Sequence, residues 1–385
     1  HAQALVCHRY FDPLLGGATP LFRRCLHHRY QTLHSPSPQP GLNEVQSKKA
    51  SPMSDQRTVA IAGVTGAVGR EMIACLEARE FPVGELKPLA SARSAGKSVE
   101  FRGQQVVVEE LGASSFDGVD IALFSAGGGI SKEYAPIAAE AGAVVIDNSS
   151  AFRMDPGVPL VIPEVNPSAA RSHHGIIANP NCTTIVTLMG LNPLHREWGA
   201  KAVIASSYQA VSGSGAGGIA ELESQVQAIA GGQPVEKQVY PHQIAFNVIP
   251  QVDAFLDNGY TREEMKMENE GRKILDAPDF KASVTCVRVP VYRSHSVAVT
   301  AQFESEPDVD KARELIESAP GVGVCDDPST GLFPTPLDTS GKDDCLVGRI
   351  RKDIVMENAL SFWVVGDQVR KGAALNAVQI AELLV

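Results

Sequence analysis

The sequence predicts a two-domain α/β protein, in which a doubly wound parallel sheet precedes an α+β domain. The 385 residues are 44% hydrophobic, enough to bury a large core and close to the length at which single cores divide. Apolar strand-like runs alternate with helical segments up to about residue 179. Beyond that point longer helices mix with strands that alternate in polarity, as in a mixed or antiparallel sheet.

The first half begins with a buried strand run at residues 58–62, followed by a glycine-rich turn and an amphipathic stretch. Further strands are predicted to end at Leu89 and to cover 106–108, 120–124 and 143–146, with helices at 70–79 and 131–141. Because strands and helices alternate, we expect one parallel sheet of the Rossmann type, with ligand-binding loops at its carboxyl edge.

The second half contains predicted helices at 183–198 and 218–230 and predicted strands at 202–207, 283–291 and 295–303. An amphipathic helix at 372–384 is expected to pack back on the first domain. The predicted organisation is a tail or leader at 1–54, a dinucleotide-binding domain at 55–180, an inserted α+β domain at 181–358 and a returning segment at 359–385.

The composition argues against several classes of function. A net charge of −10 argues against binding to nucleic acid, which requires a basic surface. No apolar run reaches the roughly 18 residues of a membrane span. The seven cysteines show no CxxC pair, and no histidine cluster has metal-ligand spacing, so we expect free thiols, a reducing compartment and no metal.

The first 52 residues differ from the rest in charge, with six Lys and Arg side chains against two acidic ones and a Ser/Pro-rich run at 35–40. Such a leader resembles an organellar transit peptide. Met53, directly before the first strand, offers the other interpretation, a start at that residue with non-native sequence upstream. We expect a cytoplasmic protein, or a plastid one if residues 1–52 are a transit peptide.

A nucleotide site is predicted by Gly63, Gly66 and Gly69, which follow the first strand and open a helix. In such a turn backbone amides approach a pyrophosphate, although a purely structural turn has the same pattern. No acidic residue ends the second strand, and Arg93 and Ser94 stand there instead. They can pair with a 2′-phosphate, which favours NADP over NAD, or form a solvated basic loop.

The chemical site is centred on Cys182, at the start of a predicted helix, where the helix dipole lowers a thiol pKa. Cys182 is therefore a candidate nucleophile, although a free cysteine is more often a small buried apolar side chain. Gln209 precedes a glycine loop and can orient an acyl group or a water. Arg288 suits a carboxylate, and His295 can move a proton. The competing histidines are His173, His174, His195 and His242.

Several segments in the same order make residues 57–385 similar to the aspartate-β-semialdehyde dehydrogenase family. They are GVTGAVG, SARSAGK, SSAFRM, NPNCTT, SYQAVSGSG, REEMK, CVRVPVYRSHS, FPTPL and GDQVRKGAALNAVQIAE. The resemblance implies a reversible conversion of L-aspartate 4-semialdehyde, phosphate and NADP into L-4-aspartyl phosphate and NADPH. It also implies a homodimer and a place in lysine, threonine and methionine synthesis.

The same resemblance assigns roles to residues. Cys182 would form a thioester, His295 would act as acid and base, and Gln209 would orient the acyl group. Arg288 would bind the α-carboxylate and Glu263 the amine. The phosphate ligands would be Arg153 and Lys266, with Asn181 also in the substrate site. The expected cofactor contacts are Gly63, Thr65, Gly66, Ala67, Val68, Gly69, Ser91, Arg93, Ser94, Ser125, Ala126, Gly127, Ser212, Gly213 and Gln368.

Two alternatives remain from the sequence. N-acetyl-γ-glutamyl-phosphate reductase resembles this fold and also uses a cysteine thioester, but its substrate has a blocked amine. The segment with the paired Glu263 and Lys266 and the RVPVYRSH run therefore favour the semialdehyde enzyme. The other alternative is a catalytically silent NADP-binding protein. Loss of function usually removes the nucleophile or the acid/base residue first, and both remain here.

Overall fold

A computed structural model describes residues 56–385, so the leader predicted at 1–54 lies outside the described residues. The described helices are α1 (Ala67–Ala78), α2 (Gly128–Glu140), α3 (Cys182–Trp198), α4 (Gly215–Ala230), α5 (Arg262–Ile274), α6 (Val309–Ser318), α7 (Pro336–Thr339) and α8 (Leu375–Glu382). The described strands are β1 (Arg57–Ala62), β2 (Val83–Ala90), β3 (Ser98–Phe101), β4 (Gln104–Val107), β5 (Glu109–Glu110), β6 (Ile121–Phe124), β7 (Val144–Asp147), β8 (Ile176–Ala178), β9 (Ala200–Gln209), β10 (Lys281–Arg288), β11 (His295–Phe303), β12 (Val322–Val324), β13 (Cys345–Lys352) and β14 (Ala359–Gly366).

The first sheet is parallel, with the strand order β5-β2-β1-β6-β7-β8. Its strands are apolar because helices cover both faces, and Val59 through Ala62 are buried in β1. β1 pairs with β2 on one side and β6 on the other, so the order reverses at β1. The predicted doubly wound sheet is confirmed, and its switch point lies at the carboxyl end of β1.

The run predicted as a third parallel strand, 106–108, forms a hairpin instead. β4 pairs antiparallel with β3 in a separate two-stranded sheet, and only the short β5 joins the edge of the main sheet. The reason is the turn at Arg102 and Gly103, whose φ angles are 50° and 74° and which reverses the chain after β3. The hydrophobic pattern of the sequence shows one apolar run at 106–108 and does not reveal the turn that precedes it.

The second sheet is mixed, with the order β10-β9-β11-β14-β13-β12. β9 and β10 are parallel, whereas β11 is antiparallel to both β9 and β14. One face packs against α3, whose residues from Thr183 to Leu194 are all buried. This arrangement confirms the predicted α+β architecture of the second half.

The return to the first sheet begins later than the predicted residue 359. β14 lies between β11 and β13, and seven of its eight residues are buried, so this apolar run is a central strand of the second sheet. After Gly366 a π-helical turn, Arg370–Ala374, leads into α8, which joins the hydrophobic core of the first sheet. Within residues 56–385 no helix is long and apolar enough to cross a membrane.

Candidate active site

One edge of the second sheet brings together three residues that the sequence singled out. Gln209 ends β9, Arg288 ends β10 in register with it, and His295 begins β11 beside the end of β9. All three side chains are buried. The parallel pairing of β9 and β10 is therefore what places the amide and the guanidinium side by side.

Cys182 is the first residue of α3, as predicted. Asn181 caps this helix, because its Oδ1 accepts hydrogen bonds from the amides of Thr183 at 3.0 Å and Thr184 at 3.2 Å. The other side-chain atom of Asn181, Nδ2, donates to Glu263 Oε1 at 3.0 Å. The cap residue thus ties the start of the nucleophile's helix to an acidic side chain of α5.

The surroundings of Cys182 raise its pKa, so the predicted lowering is wrong. Burial is the largest cause and Glu263 adds to it; Lys266, Arg153 and Arg288 act in the opposite direction but leave the pKa at about 11. Gly372 packs closely here, since a Cβ on it would lie 2.9 Å from Cys182 Cβ. Desolvation and Glu263 outweigh the three cations, and the resting group is a thiol at neutral pH.

His295 is held as a neutral imidazole. Ala210 N–H donates to its Nδ1 at 3.1 Å, and burial, with Arg288 nearby, lowers the pKa to about 3 against the opposing effect of Glu263. The proton of the neutral ring is therefore on Nε2, a buried atom that has no hydrogen-bond partner among the described residues. Gly213 covers this side of the ring, because a Cβ there would lie 3.4 Å from Nε2.

The amide of Gln209 is oriented by two acceptors. Its Nε2 donates to Thr183 Oγ1 at 2.6 Å and to Glu263 Oε1 at 3.0 Å. Its Oε1 is buried and has no partner within the described part of the chain. An oriented carbonyl oxygen is thus available next to the first turn of α3, and Thr183, which the sequence reading missed, helps to fix it.

Glu263 and Lys266, one turn apart on α5, form an ion pair of 2.7 Å. Burial alone would raise the pKa of Glu263, but Lys266, Gln209 and Asn181 outweigh it and hold that pKa at about 2. Burial likewise opposes the charge of Lys266, and attraction to Glu263 raises its pKa in spite of it. Both groups are therefore charged at neutral pH and lie beside the nucleophile.

Two buried arginines complete the charge pattern. Arg288 donates from Nη1 to the carbonyl of Ala210 at 2.7 Å, and its guanidinium lies 5.9 Å from the centre of the Tyr240 ring. Arg153 pairs with Glu270 at 3.0 Å. The sequence reading missed Glu270, although the spacing of residues 263, 266, 270 and 273 places them on one face of a helix.

The competing histidines lie elsewhere. His195 is 13 residues beyond Cys182 on α3, about 20 Å along the helix axis at 1.5 Å per residue, and its Nδ1 accepts from Ala200 N–H. His173 accepts from Gly175 N–H, and His174 and His242 are exposed. Of the candidates weighed, only His295 lies beside Gln209 and Arg288.

The glycine turn after β1 is built by close backbone packing. Gly63 has φ +86°, and a Cβ on it would lie 2.4 Å from the carbonyl oxygen of Ser125 and 3.0 Å from the amide nitrogen of Ala126. A Cβ on Gly69 would lie 2.4 Å from Gly63 O. The two glycine clusters are thus adjacent. Gly66 caps α1 without a side-chain hydrogen bond, and Ala67 and Val68 form its first turn, so no side chain caps the amides of that turn, an arrangement typical of helices that bind anions.

A cavity of about 470 Å³ opens beside this turn. Thr65, Arg93 and Ser94 line it, as do Arg70 and Lys97, which were not predicted. Ser91 starts the loop that shapes it, since its carbonyl accepts from Ser94 N–H at 2.8 Å. Glu100 also lines the cavity, so three cations stand against one acidic side chain, and the net positive charge suits a phosphate group.

Two further predicted cofactor residues lie beside His295. Gln368 donates from Nε2 to Ser212 Oγ, and its Oε1 accepts from Ser294 N–H at 2.7 Å. Ser294 has φ +74°, a strained conformation for serine directly before the histidine. Gly127, from the second glycine cluster, caps α2 with φ +89°. The residues predicted to contact the cofactor thus form two groups, one at the edge of the first sheet and one beside His295.

Fold and sequence together define the class. The chain matches the family model "Semialdehyde dehydrogenase, NAD binding domain" over residues 58–173 and "Semialdehyde dehydrogenase, dimerisation domain" over residues 191–371. It is 53% identical to an aspartate-semialdehyde dehydrogenase of Aquifex aeolicus and 50% identical to that of Bacillus subtilis. Each match covers 85% of this chain, and they cover 97% and 96% of those proteins.

Solved structures agree. Aspartate semialdehyde dehydrogenase II of Vibrio cholerae, complexed with ASA, superposes with a TM-score of 0.84 at 49% identity, covering 86% of this chain and 98% of that one. The Candida albicans enzyme with NADP gives 0.66 at 25% identity, covering 86% and 98%. The protein is thus a semialdehyde dehydrogenase in class. More narrowly, the chain belongs to the aspartate-semialdehyde dehydrogenase family.

Proposed function

We propose that this protein interconverts L-aspartate 4-semialdehyde and phosphate with L-4-aspartyl phosphate, using NADP and a thioester on Cys182. The observation that carries the proposal is the set of charges around one thiol. Glu263, Lys266, Arg153 and Arg288 all act electrostatically on Cys182. These charges match the groups of the two substrates. The glutamate suits an amine, and the two arginines and the lysine suit a carboxylate and an incoming phosphate.

The covalent bond between enzyme and substrate is formed by a sulfur atom. The Cys182 sulfur bonds to the aldehyde carbon and, because the resting group is a thiol, its proton passes to the carbonyl oxygen, which becomes the hydroxyl of a hemithioacetal. Oxidation of that adduct leaves a thioester, which phosphate can attack, whereas an ester on oxygen would be too stable. When bound, NADP supplies the hydride acceptor for this oxidation.

His295 handles the proton on the substrate oxygen. In the oxidative direction the neutral ring takes the hydroxyl proton and becomes imidazolium, which returns that proton in the reductive direction. The nitrogen that takes the proton must be unprotonated, so the resting tautomer with its proton on Nε2, which Ala210 N–H favours, has to change to the other tautomer when substrate binds. Gln209, held by Thr183 and Glu263, orients the acyl group. His295 and Gln209 therefore act on the same acyl group of the substrate, His295 on its oxygen and Gln209 on its orientation.

The remaining charges set specificity. Arg288 binds the α-carboxylate and Glu263 the amine, with Asn181 beside it, while Arg153 and Lys266 bind phosphate. A blocked amine, as in an N-acetylated semialdehyde, would leave Glu263 without a cation to pair with on the substrate. That difference favours the free amino acid over its acetylated homologue.

NADP is the proposed cofactor. Arg93, Ser94 and Lys97 at the 470 Å³ cavity suit its 2′-phosphate, and the open amides at the start of α1 suit its pyrophosphate. We assign nucleotide binding to the region up to residue 180 and catalysis to the second sheet and its helices.

We propose a homodimer formed through the exposed face of the second sheet. Ile204 is 54% exposed and Tyr208 is 39% exposed on β9, and the ring of Trp363 on β14 lies 5.3 Å from that of Tyr208. Apolar patches of this kind mark protein interfaces. An Ile204→Asp variant should sediment as a monomer; a wild type that is already monomeric and active contradicts the dimer.

A cytoplasmic location is proposed from the free thiols. Cys75, Cys182, Cys286 and Cys345 are free thiols, as in a reducing compartment. Sequencing the mature N-terminus from its source tests this, because a trimmed precursor would favour a plastid.

The activity is tested with purified protein, NADP, phosphate and either L-aspartate 4-semialdehyde or the N-acetylated glutamate semialdehyde. We expect NADPH to form with the first substrate and to depend on phosphate. Turnover of only the acetylated substrate contradicts the substrate assignment. NADP binding without any turnover contradicts an enzymatic function altogether.

A further inference from the structure

Helix α5 presents four charged side chains at helical spacing, and only two of them have been given a role above. Glu263 and Lys266 face the nucleophile, and Glu270 and Lys273 continue the same face. Glu270 is 2% exposed, so its charge is sheltered from water and needs partners. Its partners lie far away in the chain, which makes it more than a local helix charge.

The two oxygens of Glu270 have separate tasks. Oε1 accepts from Arg153 Nη1 at 3.0 Å, and Oε2 accepts from the backbone amide of Asn181 at 2.7 Å. Asn181 directly precedes Cys182 and caps α3. One carboxylate therefore joins the arginine proposed for phosphate to the backbone that carries the nucleophile.

Arg153 is held on its other sides by main-chain carbonyls. Its Nε donates to Asn179 O at 2.9 Å and its Nη2 to Asn148 O at 2.8 Å. With the bond to Glu270, three of the five guanidinium N–H groups have protein acceptors, which leaves two for a ligand. Lys273 fixes the backbone of the same residue, because its Nζ donates to Arg153 O at 2.8 Å.

We propose that Glu270 is a positioning residue that orients Arg153 for phosphate, an inference that rests on the proposed function. Fixing the guanidinium in one plane directs its two remaining N–H groups to one place relative to Cys182. A planar, bidentate donor depends on such orientation more than a point charge does. Glu270 itself touches neither phosphate nor the acyl group.

The two bonds of Glu270 can be separated by one substitution. In Glu270→Gln the amide oxygen can still accept from Asn181 N–H, so the start of α3 keeps its anchor. The amide nitrogen then faces Arg153, and two donors cannot bond to each other. The variant should therefore disturb the phosphate ligand while sparing the nucleophile.

The matched control is Glu264→Gln. Glu264 lies on the same helix, is 7% exposed, and also accepts from backbone amides, those of Thr261 at 2.7 Å and Cys286 at 2.9 Å. No bond joins it to Arg153 in the described structure. Any general effect of neutralising a buried glutamate on α5 should appear in both variants.

The experiment separates the two half-reactions in the oxidative direction. A burst of NADPH formed without phosphate reports thioester formation, and the dependence of steady turnover on phosphate reports the second step. For Glu270→Gln we expect a burst rate within about 3-fold of wild type and a KM for phosphate raised by about 10-fold or more, on the scale of one lost charge-assisted hydrogen bond. Glu264→Gln should leave the phosphate KM within about 2-fold of wild type, since its bonds do not reach Arg153.

Two outcomes overturn the inference. In the first outcome, the phosphate KM of Glu270→Gln equals that of Glu264→Gln. In the second, the burst rate and the rate of the phosphate-dependent step fall by the same factor. Either result would make Glu270 purely structural. If Glu270→Gln does not fold, Glu270→Asp takes its place: it keeps the charge but loses reach, and an unaltered ratio of burst rate to phosphate KM contradicts the inference. A wild type without phosphate-dependent turnover instead refutes the proposed function.

Discussion

The glycine turn after β1 and the pocket around Cys182 are built in different ways. At the turn, Gly63 and Gly69 let backbone approach backbone, and the nearby cations Arg93 and Lys97 are exposed. Around Cys182 the groups are side chains, from α3, α5, β9, β10 and β11, and all but the partly exposed Lys266 are buried. Water and salt screen exposed charges, whereas a buried charge depends on its partners. Mutations of buried charges should therefore have larger effects on stability and activity than mutations at the exposed turn.

The largest effect is expected on stability at Lys371, next to the Gly372 that packs on Cys182. Lys371 is 1% exposed, and its Nζ donates to Glu164 at 2.6 Å and to Asn376 at 2.9 Å. Lys371→Met leaves Glu164 without its cation and should cost about 3–5 kcal/mol in the free energy of unfolding. Urea denaturation measures this.

The control for that prediction is Lys352→Met. Its partner Glu306 lies at 2.7 Å, but both side chains are more than half exposed. We expect no measurable loss of stability, because water and salt screen an ion pair at the surface. Equal losses in the two variants would remove the distinction between buried and exposed charges on which the comparison depends.

The next largest effect is expected on catalysis at Arg288. Arg288→Leu removes the proposed partner of the α-carboxylate and should lower kcat/KM for the semialdehyde by about 10²-fold, as for loss of a buried charge pair. Steady-state kinetics measure it, with NADP affinity as the control, which should fall much less than kcat/KM because Arg288 is assigned to the α-carboxylate and not to the nucleotide. A fall in NADP affinity as large as the fall in kcat/KM would contradict the assignment.

The pKa of Cys182 predicts the pH dependence of its alkylation. Because thiolate is the reactive form and the pKa is raised to about 11, reaction with iodoacetamide should increase about 10-fold per pH unit between pH 7 and 9. Mass spectrometry of the Cys182 peptide follows the rate. A plateau below pH 8 would mean that a thiolate already exists at rest.

The smallest effect is expected at the nucleotide turn. Arg93→Ala should weaken NADP by about 10-fold and NAD much less, and the difference should shrink at high salt because the side chain is exposed. Fluorescence titration of both nucleotides at low and high salt tests this. An equal loss for NADP and NAD refutes a role in 2′-phosphate binding.

Sequence reasoning succeeded where the signal is local. The glycine turn and the start of α3 at Cys182 follow from neighbouring residues, and the structure has them where the pattern predicts. Glu270, by contrast, acts through Arg153, 117 residues away, and Lys371 through Glu164, 207 residues away. Such partners carry no local pattern beyond the helical spacing on α5.

Two of the incorrect predictions have the same origin. The pKa of Cys182 was predicted from the helix dipole alone, but Gly372 and Glu263, both distant in sequence, bury and oppose the thiolate. The apolar run at 106–108 was read as a sheet strand without the turn that makes it a hairpin. Tertiary packing decided both cases.

The thioester on Cys182 is tested most directly by trapping it. Protein is incubated with NADP and L-aspartate 4-semialdehyde without phosphate, quenched in acid, digested and examined by mass spectrometry, beside a Cys182→Ser variant. We predict one NADPH per active site and an acyl group on the Cys182 peptide that disappears when phosphate is added before quenching. NADPH formation with no acyl group on Cys182, or with the acyl group on Cys286, would contradict the account.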